Sequence, residues 1–169
     1  MEGLPMTMTP DPALIARLDQ EDKRTAQTIR AHGTWIEYVF GDPTRRETSF
    51  AYTIGLFGMG HPELLVFGLD PRTTGLLLND LSDRVRGGED FIAGDVVGFG
   101  GWSHRVVFEV VPNPGEIVFS ANRFYQRPDE ASVGVLQLTY DDRQGRYPWD
   151  EGYETAAWLQ PRPGTFRAG

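Results

Sequence analysis

From Asp11-Pro12 onward, apolar residues recur at helical spacing, at Leu14, Ile15, Leu18, Ala26 and Ile29, with Asp19, Glu21, Asp22, Lys23 and Arg24 filling the opposite side. The pattern predicts a helix ending near His32-Gly33. Two β-rich runs follow, Trp35 to Phe40 and Ser49 to Leu56, joined by Gly41-Asp42-Pro43 and a charged stretch, which reads as a hairpin. After a turn at Gly58 to Pro62, residues Glu63 to Leu69 read as a third strand. Asp70-Pro71 supplies a capping carboxylate and a first-turn proline, and Leu77, Leu78, Leu81 and Val85 then keep helical spacing up to Gly87-Gly88. Residues 89–103 are broken by glycines and read as irregular. His104 to Val111, apolar on both faces except at His104 and Glu109, reads as a central strand, and Val133 to Tyr140 as the last one. Pro112 to Pro128 fits a short helix or an extended segment.

Hairpin-linked strands with two to three helices predict an α+β fold with a mainly antiparallel sheet, because a doubly wound parallel sheet needs a helix at each crossover. The domain is expected over residues 11–154. Residues 1–10, rich in Met, Pro and Thr, read as a flexible leader, and residues 155–169, with Pro161, Pro163 and Gly164, as a mobile tail.

Composition removes several functions. Asp and Glu outnumber Lys and Arg by 24 to 16, a net charge of −8, so the overall field opposes nucleic acid and anionic lipid. The longest apolar run, Leu64 to Leu69, is too short to cross a bilayer, and the acidic N-terminus is no secretory signal, so the expected location is cytoplasmic. With no cysteine, disulfides, thiolate nucleophiles and cysteine-bearing metal sites are excluded.

Motifs are few. The chain has no phosphate-binding G-x-x-x-x-G-K-[ST] loop and no G-x-S-x-G nucleophile elbow. His32, His61 and His104 fall at a helix end, a turn and a strand, so their spacing gives no metal site; a helix-end cation, a turn cap and an ordinary strand residue account for them. Ser49 to Leu56 sorts into a large face of Phe50, Tyr52, Ile54 and Leu56 and a small face of Ser49, Ala51, Thr53 and Gly55, so something approaches the small face closely. That neighbour is either a packed element or a ligand, with His61, Glu63 and Asn79 as polar walls. Tyr52, Thr53, Gly55, Asn79 and Gln137 are therefore the candidate ligand contacts, and His61 and Glu63 the candidate acid-base pair. The four tryptophans, Trp102 among them, lack interleaved basic residues and suggest core or a protein interface.

Two resemblances add to this reading. Phe50-Ala51-Tyr52-Thr53-Ile54-Gly55-Leu56, Gly60-His61-Pro62-Glu63-Leu64-Leu65, Leu78-Asn79-Asp80-Leu81, Val85-Arg86-Gly87-Gly88-Glu89 and Gly145-Arg146-Tyr147-Pro148-Trp149 resemble the bacterial family called domain of unknown function 4262, over residues 30 to 153. Its members carry no activity to transfer. The order of Thr53, Pro62, an apolar strand and a helix is also similar to the flavin reductase-like split barrel, which implies FMN. The expected function is a binding module for a small molecule or a protein, including a second copy of the chain. The alternative is an enzyme with a flavin-type site or an acid-base pocket around His61 and Glu63.

Overall fold

A computed structural model describes residues 11–169, so the expected leader lies outside the described residues. Helix α1 spans Pro12–His32, opened by the Asp11 carboxylate accepting from the Ala13 amide and closed by Gly33 at φ +86°. Its predicted apolar stripe meets the sheet only in the second half, through Thr25 and Ile29, and Leu14 and Ile15 stay exposed. Strands β1 (Trp35–Val39), β2 (Phe50–Ile54) and β3 (Glu63–Phe67) form an antiparallel meander with Trp35 opposite Ile54 and Phe50 opposite Phe67. Helix α2, Pro71–Arg86, follows with Asp70 as its cap. Then come β4 (Val96–Phe99), β5 (Trp102–Val110), the short helix α3 (Phe119–Phe124) and β6 (Val135–Tyr140).

Among the described residues the strands lie in the order β1-β2-β3-β6-β5-β4, and only the β3/β6 pair is parallel. The fold is α+β, as the hairpin pattern predicts. The sheet is open, with β1 and β4 as its two edges, so no barrel closes.

Each face of the sheet has its own core. On one face, α2 lays Leu77, Leu78, Leu81 and Val85 over Ala51, Leu64, Val66, Val106, Phe108 and Leu138. The other face buries Phe50, Tyr52, Ile54, Leu65 and Phe67 beneath α3 and the end of α1. Ala51 on β2 is small because α2 crosses above it, which accounts for part of the small face by packing. Among the described residues no helix is long and apolar enough to cross a membrane.

Three expectations are corrected. The irregular reading of residues 89–103 misses β4, which pairs with β5 across Gly100-Gly101. Glycines at 94, 98, 100 and 101 dilute its apolar pattern, yet a two-residue Gly-Gly connection is itself a hairpin signal. Strand β5 is paired on both sides but next to the edge, and the centre belongs to β3 and β6. Residues 155–169, expected as a tail, pack along the sheet: the buried Gln160 side chain bonds both the amide and the carbonyl of Tyr140, and Phe166 wedges against Phe50 and Phe67. Proline and glycine content alone does not report these distant partners.

Candidate functional site

Glu63 lies fully buried at the start of β3, where its carboxylate collects donors from the preceding turn. Oε1 accepts from the amides of Gly55 and Phe57, both at 2.9 Å, and from the Tyr125 hydroxyl at 3.3 Å. Oε2 accepts from the Thr53 hydroxyl at 2.6 Å and the Leu56 amide at 3.3 Å. Thr53 Oγ1 in turn accepts from the Leu64 amide at 2.9 Å. Burial pushes the Glu63 carboxyl above its ordinary range, and the bonds from Phe57, Thr53, Gly55 and Leu56 pull it back only in part. The cluster is a clasp that fixes the β2–β3 connection, with its hydrogen-bonding capacity used inside the fold.

His61 is spent in the same way. Its Nδ1 donates to the Pro62 carbonyl at 2.7 Å and its Nε2 accepts from the Phe91 amide at 3.0 Å, with the Asp90 carboxylate 3.7 Å away. The ring therefore pins the loop before β4, and it does not join Glu63 in an acid-base pair.

The other predicted contacts also separate. Tyr52 is core, its hydroxyl accepting from the Ser120 amide at the start of α3, and desolvation raises its pKa. Asn79 is exposed on α2. The buried Gln137 amide donates to the Pro161 carbonyl, so the C-terminal segment occupies the place assigned to a ligand. Gly55, at φ +135°, lies so close to the Gly33 carbonyl that a Cβ would sit 2.6 Å from its oxygen. The close neighbour of the small face is thus protein on every side seen: α2 above Ala51, Glu63 on Thr53 and the Gly33 backbone against Gly55. FMN was tied to Thr53 and a split barrel, and with the sheet open and the Thr53 hydroxyl committed, those residues do not fit it.

A different place offers open space and free chemistry. Between α2 and the β4–β5 hairpin lies a groove of about 420 Å³, floored by Leu77, Phe99 and Trp102 and flanked by Leu76, which is 66% exposed. Arg84 stands over the Phe99 ring, its guanidinium carbon 5.5 Å from the ring centre, and gives one nitrogen to Asp80 at 3.0 Å. Its remaining N–H groups bond to nothing among the described residues. Gly100 and Gly101 close the groove at the hairpin tip, with open space where side chains would stand. The volume lies within the range of small-molecule pockets, and the lining joins an aromatic floor to one charged pair.

Next to Trp102 on the same face of β5 stands His104, with the two rings 4.9 Å apart. Its Nδ1 faces two acceptors of the buried Asp141, the carbonyl at 2.7 Å and the carboxylate at 3.0 Å. Sequence reasoning treated His104 as an ordinary strand residue, because 37 positions separate it from Asp141. Only the antiparallel β5–β6 register, Val106 opposite Tyr140, brings the two together.

A family model described as a domain of unknown function, DUF4262, matches residues 28–154. The chain belongs to the DUF4262 family. Neither a curated protein nor a solved structure matches it. Within this DUF4262 chain the groove is lined wholly by residues inside the matched span. Larger cavities among the described residues, of about 720, 750 and 500 Å³, draw part of their walls from Arg162, Pro163, Arg167 or Gly169, beyond that span. The Glu63 clasp and His61 also fall within the matched span.

Proposed function

We propose that this chain is a binding module for a small planar molecule carrying a carboxylate, seated between α2 and the β4–β5 hairpin. The observation that carries the reading is the pairing of an aromatic floor, Phe99 and Trp102, with an Arg84 guanidinium that keeps unspent donors above it. Apolar rings supply the area and a stackable face, and the guanidinium supplies recognition of a planar anion. The Asp80 pair holds Arg84 in place and keeps the empty groove from carrying a bare positive charge. The two partners are a third to a half exposed, so the bond between them is weak enough to be exchanged for a ligand carboxylate.

The probe is 1-naphthoate, a fused aromatic ring with one carboxylate, followed by titration calorimetry. It should bind the wild type, and Trp102→Ala should weaken it by about tenfold or more, the loss of roughly 1.4 kcal/mol of stacking and burial. Arg84→Gln should weaken naphthoate while leaving neutral 1-naphthol nearly unchanged. Equal affinity of all three proteins for naphthoate would place the ligand elsewhere.

A further inference from the structure

We propose that His104 and Asp141 form a general-base pair that hydrolyses aryl esters at the edge of this groove, an activity that rests on the groove being a seat for planar ligands. The pair has the two properties such a base needs. First, its tautomer is fixed: both groups facing Nδ1, the Asp141 carbonyl and carboxylate, are acceptors, so Nδ1 carries the hydrogen and Nε2 presents its lone pair. Second, Nε2 has no partner among the described residues, and the side chain keeps 22% of its surface exposed. His61 shares the fixed tautomer but not the second property, because its Nε2 lone pair is taken by the Phe91 amide and the side chain is buried.

Asp141 is built to position the ring. Its side chain is 4% exposed, and its Oδ1 also accepts from the Arg105 amide at 3.2 Å, which fixes the carboxylate against the β5 backbone. Oδ2 lies 3.8 Å from the Arg105 guanidinium. A buried carboxylate held this way orients the imidazole and fixes its Nδ1–H tautomer.

The substrate class follows from what surrounds the base. Trp102 is shared: it lines the groove, and its ring lies 4.9 Å from His104, which stands behind the indole and outside the groove lining, so the substrate is a ligand long enough to pass the indole and meet the imidazole. Ser103, adjacent in sequence, projects from the opposite face of β5 by strand alternation and is exposed, so it is not the nucleophile. Tyr140, the other ring beside His104, has its hydroxyl committed to the Phe67 carbonyl at 2.8 Å. Water is then the group His104 activates. Nε2 takes a proton from water, the water oxygen bonds to the acyl carbon, and the bond from that carbon to the aryl oxygen breaks. The imidazolium returns its proton to the departing aryloxide, so ester and water leave as acid and phenol.

The test uses the whole chain and 1-naphthyl acetate, with 1-naphthol release followed by fluorescence and 1-naphthoate binding measured beside it. The wild type should exceed the same concentration of free imidazole, and His104→Gln should lower kcat by roughly 10²-fold while keeping naphthoate affinity. Asp141→Asn should lower kcat with KM unchanged, and nitrogen-15 spectra should show the His104 ring losing its single Nδ1–H tautomer, a readout that a merely structural Asp141 would not move. A wild type no faster than imidazole, or a folded His104→Gln with full activity, overturns the proposal. His104→Asn provides the second variant should the glutamine form melt early. Naphthoate binding without turnover would sink the general base and leave the seat standing, whereas His104-dependent turnover without groove binding would do the reverse.

Discussion

A carboxylate with no exposed surface needs donors on both oxygens, and Glu63 draws them from a turn only six to ten positions earlier, at Thr53, Gly55, Leu56 and Phe57. Glu63→Gln puts an NH2 group where N–H and O–H donors already point, and should cost about 1–3 kcal/mol in denaturant melts at neutral pH. The raised carboxyl also fixes a pH slope. The folded chain keeps this proton to higher pH than the unfolded chain does, so stability should fall as pH rises from about 4.3 through the folded value. Glu63→Gln should lack that slope in melts across the acid range. Gly55→Val meets the Gly33 carbonyl oxygen and a positive φ together, and should destabilise on the order of 1–3 kcal/mol. Sequence alternation showed that something lies close to the small face of β2, because residue size reports the space available. It did not show that the neighbours are α2, Glu63 and the Gly33 backbone, nor that Tyr125, Phe91 and Pro161 reach Glu63, His61 and Gln137 from 62, 30 and 24 positions away.

Helix α2 was readable from its own residues: Asp70 accepts from the Thr73 amide and hydroxyl, Pro71 starts the helix and the leucines mark the buried face. Those two bonds hold the Asp70 carboxyl below its usual range. Its stabilisation is present above about pH 3.9, the unfolded value, and is lost as pH falls through the folded one. Asp70→Ala should cost about 1 kcal/mol at neutral pH by chemical denaturation, with the difference from wild type shrinking in acid. On the same helix, Asp80 and Arg84 are four residues apart and form a pair that the charge pattern allows, but only the structure places Arg84 over Phe99. Asp80→Asn frees the guanidinium and should tighten naphthoate binding severalfold in calorimetry. Failure to tighten would mean that Arg84 does not face the ligand. Strand β4, which supplies the facing wall, was hidden because Gly98 interrupts its four-residue apolar run and Gly94, Gly100 and Gly101 flank it.

At the scale of the whole molecule, the open sheet leaves the C-terminal segment to complete the core. Gln160 reproduces a strand's two main-chain bonds on Tyr140, Arg162 grips Glu109 through two contacts at 2.8 Å, and Phe166 fills the space against Phe50 and Phe67. Gln160→Ala should cost about 2 kcal/mol in a denaturant melt, because it strips two buried main-chain groups of their partners. Composition pointed to a tail here, since prolines and a glycine look alike in a free segment and in one tied to a sheet. The groove lies away from this strap, between α2 and the hairpin, and its occupancy is the central claim. Amide and indole chemical-shift mapping with 1-naphthoate tests it most directly. The account predicts shifts concentrated at Leu76, Leu77, Arg84, Gly100, Gly101 and the Trp102 indole, with the Glu63 clasp unmoved. Shifts absent at saturating naphthoate, or centred on Thr53, His61 and Glu63, would contradict it.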